Sequence, residues 1–96
     1  MKITGFKTFV VAADSNWVFV QVYTDEGVTG LGEGSVSSKT LAVEAAIRDL
    51  ERFVVGRDPR DIEALWQEMY RYPRWKGGPV LSSAMSAIEI ALWDIL

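Results

Sequence analysis

Two periods of apolar residues divide the chain. Up to about residue 34 they alternate, as in strands; beyond it they recur every three or four residues, as along one side of a helix. Residues 2–11, rich in Phe, Val and Thr, read as a first strand. Residues 17–24 give the clearest strand: Val18, Val20 and Val22 form one face, and Trp17, Phe19 and Tyr23 the other. With apolar residues on both faces, it is expected to be central and covered on both sides. Asp25-Glu26-Gly27 reads as a hairpin turn, with Gly27 at positive φ. Residues 28–34 form the third strand of an antiparallel meander. Its Gly30, Gly32 and Gly34 share one face but lack the G-x-G-x-x-G spacing of a phosphate loop. They are expected to admit another backbone or a helix at close range.

Three helices follow, which makes the fold class α+β: a three-stranded meander, then a helical bundle. The first spans residues 38–55, with Ser37 or Ser38 as its cap and Val43, Ala46, Ile47, Leu50, Phe53 and Val54 facing a core. Glu44 and Arg48 are placed to pair on its wet side. The second spans 59–71, with Asp58 capping, Pro59 in the first turn, and Ile62, Leu65, Trp66, Met69 and Tyr70 as its stripe. The third spans 79–96 and is apolar round most of its girth: Leu81, Ala84, Met85, Ile88, Leu92 and Ile95 on one side, Ile90, Ala91, Trp93 and Leu96 beyond. Ser82, Ser83, Ser86 and Ala87 are small enough to let neighbours close in. It reaches Leu96 with no glycine cap and no basic last turn, so the natural chain is expected to continue.

Composition narrows the chemistry. Ninety-six residues, 49% of them apolar, suit one small globular domain. There is no Cys, which excludes disulfides and thiolate metal sites, and no His, which removes the commonest general base. A net charge of −3 gives no general reason to bind nucleic acid or an anionic membrane. The amino terminus has no signal-peptide pattern, and Glu89, Asp94 and three serines count against a membrane-spanning last helix. A cytoplasmic protein is expected. The carboxylates show no grouping suited to a metal, so the chain by itself is expected to be inactive.

Residues without an evident structural purpose gather in three loops, near 14–17, 33–38 and 72–78. The last sets Arg71, Arg74 and Lys76 among Tyr70, Tyr72 and Trp75. Such a loop suits single-stranded nucleic acid, a small carboxylate held by Lys or Arg beside Gly77-Gly78, or plain solvent exposure with Trp75 covering a helix end. The residues alone leave these three open.

Several stretches resemble a known family. Thr24-Asp25-Glu26-Gly27-Val28-Thr29-Gly30-Leu31-Gly32-Glu33 is similar to the strand-turn-strand of the enolase superfamily, in its mandelate racemase and muconate lactonizing enzyme group. Residues 83–95 resemble that group's helix leading into its barrel domain. Residues 16–20 and 71–79 are similar to its acid-sugar dehydratases, galactonate dehydratase-like members above all. The resemblance implies an N-terminal capping domain (residues 1–96) that closes over a (β/α)8 barrel. It assigns Mg²⁺ and the acid/base groups to that barrel, and proton abstraction alpha to a carboxylate, then loss of water, to the parent. A racemase, epimerase or cycloisomerase of the same group, and a stand-alone interaction module, are the alternatives. The parent is expected to be a homo-oligomer acting on a small carboxylate or acid sugar.

In the family two cap loops contact substrate. By position they match residues 13–17 and 33–38. An anionic substrate with several hydroxyls, shut off from water by the cap, calls for a cation or donor and a flat apolar lid; Trp17, Lys76, Trp75, Arg74 and Glu33 are the expected substrate-binding residues. Leu31 stands where many relatives carry Trp, and the sequence stops before the Gly-Lys that usually follows the last helix in the family.

Overall fold

The computed structural model describes residues 1–12, 16–36, 38–71 and 78–96. Strands β1 (Ile3–Ala12), β2 (Asn16–Thr24) and β3 (Thr29–Glu33) form an antiparallel sheet in the order β1-β2-β3. Helices α1 (Thr40–Val54), α2 (Ile62–Arg71) and α3 (Pro79–Ile95) follow. At the β2–β3 turn Gly27 has φ +81° and its amide donates to the Thr24 carbonyl at 3.3 Å. The buried Thr24 hydroxyl donates to the Val28 carbonyl at 2.6 Å.

The pairs Thr8–Val20 and Val20–Gly32 fix the register. Strand alternation then puts Thr8, Val18, Val20, Val22, Gly30 and Gly32 on one face and Phe9, Val11, Trp17, Phe19, Leu31 and Glu33 on the other. The helices cover the first face only. Val18, Val20 and Val22 are fully buried there with Val43, Ile47 and Leu50 of α1, Leu65 and Met69 of α2, and Met85, Ile88 and Leu92 of α3. Among the described residues, the cover expected on both sides of β2 is therefore absent from the second face. Val11, Trp17 and Leu31 are exposed on that face, and the Lys7 ammonium sits 5.3 Å from the Phe9 ring centre.

The close approach expected at the three glycines is made by α3. A Cβ on Gly30 would stand 2.0 Å from the Ala91 carbonyl oxygen, one on Gly32 1.8 Å from that of Ala87, and one on Gly34 2.4 Å from that of Ser83. The geometry is a match of two repeats. Two strand residues advance about 6.7 Å and four helical residues about 6 Å, so alternate positions of β3 meet every fourth carbonyl of α3 running the other way.

Both outer edges of the sheet are met by helix carboxylates. Glu51 of α1 accepts from the Phe6 amide on β1 at 2.7 Å, and Asp94 of α3 accepts from the Leu31 amide on β3 at 2.9 Å. An edge strand otherwise offers its unpaired amides to other chains. Glu44, expected to face Arg48, accepts from the Thr8 hydroxyl at 2.8 Å.

Two helix starts differ from expectation. α1 begins at Thr40, and Lys39 occupies its cap without a side-chain bond. Ser38 does not cap it: the residue lies at φ +66° in a turn closed by the Lys39 amide donating to the Val36 carbonyl at 3.0 Å. Ser37 lies outside the described residues. α2 begins at Ile62, not at 59. Asp58 is drawn to Arg60, whose amide and guanidinium both donate to its carboxylate at 2.9 and 2.7 Å. These side-chain and backbone bonds from Arg60 hold its carboxyl far below the usual range. Pro59 thus sits in a turn, and the Leu65 amide donating to the Asp61 carbonyl at 3.0 Å opens the helix.

Gly32→Ala should cost about 3 kcal/mol in urea unfolding, since its Cβ has to displace helix backbone. Gly27→Ala, with open space around it but a positive φ, should cost about 1 kcal/mol.

Candidate functional site

The candidate site is the rim where β2 begins and β3 ends. The Gly34 amide donates to the Val18 carbonyl and the Val18 amide to the Ser35 hydroxyl, each at 3.0 Å. These bonds tie the segment after β3 to the first residues of β2. Trp17 pairs with Val11 and is 42% exposed. Glu33 pairs with Phe19, so it lies on the same sheet face as Trp17 and one diagonal step away. The structure thus brings together two of the five expected residues, an indole plane and a carboxylate. Arg74, Trp75 and Lys76 lie outside the described residues.

On the helix side of the same rim is a cleft of about 420 Å³ lined by Asn16, Ser38, Lys39, Thr40, Leu41 and Ala42. The volume falls within the range of small-molecule sites. Asn16 brings an amide, Ser38 and Thr40 bring hydroxyls, and Lys39 brings a cation beside the first turn of α1. This donor-rich set, with Glu33 as an acceptor round the rim, suits an anion bearing hydroxyl groups.

Lys39 is the residue that the sequence reading missed. A signal was present: a lysine at a helix N-terminus opposes the helix dipole, and α1 has no acidic residue in its first turn to balance it. A residue placed against local electrostatics invites a functional explanation.

Among the described residues no group of three or more His, Cys, Asp or Glu side chains is placed to hold a metal ion. No helix among them is long and apolar enough to cross a membrane.

Residues 6–96 match the family model of the mandelate racemase / muconate lactonizing enzyme N-terminal domain. The chain belongs to this family. It is 47% identical over 99% of its length to a D-galactonate dehydratase of Xanthomonas campestris pv. campestris (strain B100). A solved enolase from Pantoea ananatis, with bound D-gluconate and Mg, superposes with a TM-score of 0.92 at 39% identity over 98% of the chain. A member of the enolase superfamily from Salmonella Typhimurium gives 0.93 at 39% identity over 98% of the chain. The chain spans about a quarter of each: 24% of the first, 23% of the second and 26% of the third. The strand-and-helix architecture described above is therefore that of the enolase-superfamily N-terminal domain.

Lys39→Ser should stabilise the domain by about 1 kcal/mol in urea unfolding, by supplying a cap and removing a cation from the positive end of α1. A loss of stability would show that Lys39 is held for structural reasons.

Proposed function

We propose that this domain is the cap of a Mg²⁺-dependent acid-sugar dehydratase. Its parent removes the proton alpha to the substrate carboxylate and then expels water. The observation that carries this reading is the 47% identity to D-galactonate dehydratase across 99% of the chain. The D-gluconate and Mg in the Pantoea relative support the same class of ligand.

The described side chains do not fit a Mg²⁺ site, so no chemical step is assigned to them. Metal and acid/base groups belong, on this reading, to a companion barrel domain. The cap contributes recognition and exclusion of water. Trp17 lays a flat apolar wall over the substrate, and Glu33 accepts from a hydroxyl. Lys39 and Asn16 meet substrate from the helix side, and Lys76, with Trp75 and Arg74, from the sequence preceding α3. Val11 and Leu31, exposed on the open sheet face, are the apolar surface on which a homo-oligomer would draw.

The deciding experiment assays the parent with Mg²⁺ on D-galactonate and D-gluconate in deuterated water. A 2-oxo-3-deoxy acid lighter by one water supports dehydration. Deuterium at the alpha carbon of an otherwise intact acid would reassign the parent to racemisation or epimerisation. Losing one charged contact costs about 1.5–3 kcal/mol, or roughly 10- to 150-fold. Lys76→Ala in the parent should lower kcat/KM by about that factor at an unchanged melting temperature. An unaltered kcat/KM would remove Lys76 from the site.

A further inference from the structure

A second cleft, of about 440 Å³, opens between α2 and α3, with Arg60, Glu63, Trp66, Glu89, Trp93 and Leu96 in its walls. Two indoles and a leucine supply apolar surface, and two glutamates supply charge. The cation present is already engaged, because Arg60 donates to the Asp58 carboxylate at 2.7 and 3.0 Å. Glu63 and Glu89 have no hydrogen bond or ion pair among the described residues. The uncompensated charge in the cleft is therefore negative, beside two tryptophans.

We infer that this cleft seats a lysine or arginine side chain carried on an apolar segment of the companion domain. The inference rests on the two-domain reading above. Cation–aromatic attraction and charge-assisted hydrogen bonds act together on such a group. A free small cation is the poorer occupant. Trp93 is 60% and Leu96 63% exposed, whereas small ligands are held where most of their surface is enclosed. Walls this open are closed by a partner that brings apolar surface of its own. A second copy of the chain is also poorer, since face-to-face pairing sets Glu63 and Glu89 against their own duplicates.

The test compares Glu89→Lys in the parent and in the 96-residue chain. The parent's thermal midpoint should fall by at least about 5 °C, while that of the short chain should hold or rise as a like charge is removed. An unchanged parent midpoint, or equal losses in both, overturns the docking site. A second measurement needs no short chain. The Trp93 fluorescence of the parent, taken as the difference between wild type and Trp93→Phe, should be quenched by acrylamide at least about 3-fold more slowly than free tryptophan. Quenching as fast as free tryptophan overturns the inference. Turnover of sugar acid by the wild-type parent is scored separately: its absence overturns the dehydratase reading, whereas a failed midpoint or quenching result leaves that reading standing.

Discussion

The contact between β3 and α3 governs the architecture, because there backbone meets backbone. Carbonyl oxygens of Ser83, Ala87 and Ala91 occupy the space where side chains of residues 34, 32 and 30 would stand. Few packed surfaces are so intolerant of added atoms, since a displaced carbonyl drags its helical turn with it. Once α3 lies this close, Met85, Ile88 and Leu92 reach the valines of β2, and α1 and α2 fill what remains of the core.

The same helix also guards the sheet's edge. Asp94 lies on α3 and bonds an outward amide of β3, while Glu51 does the equivalent for β1. Two acidic residues thus satisfy backbone that would otherwise be open to pairing with another chain. Neither was legible as an edge residue in the sequence, where each was one carboxylate among many. Strand periodicity shows which way a side chain points, but not which distant helix will supply a partner for its amide.

The extent of legibility follows that distinction. The meander, the three helices, the turn at Gly27 and the close approach at the glycines all rest on short-range patterns, and each is visible in residue order. The start of α2 was misplaced because Asp58 has two competing uses, and Arg60, two residues away, takes it from the helix. The start of α1 was misplaced because a serine in a left-handed turn looks, in sequence, like a serine cap. At the rim, Trp17 was legible as an aromatic residue bordering a loop, and Glu33 as the end of a strand. Lys39 was hidden in an apparent capping sequence, although its sign was wrong for a helix start.

The register of β3 also divides its positions by the freedom they leave to variation. Residues 30, 32 and 34 are fixed by the helix behind them. Thr29, Leu31 and Glu33 point the opposite way, where a change of size or charge leaves the core undisturbed. One five-residue strand therefore serves as foundation on one side and as an adaptable surface on the other. Glu33 and Leu31 can therefore vary at little structural expense, and each change inherits an unaltered scaffold.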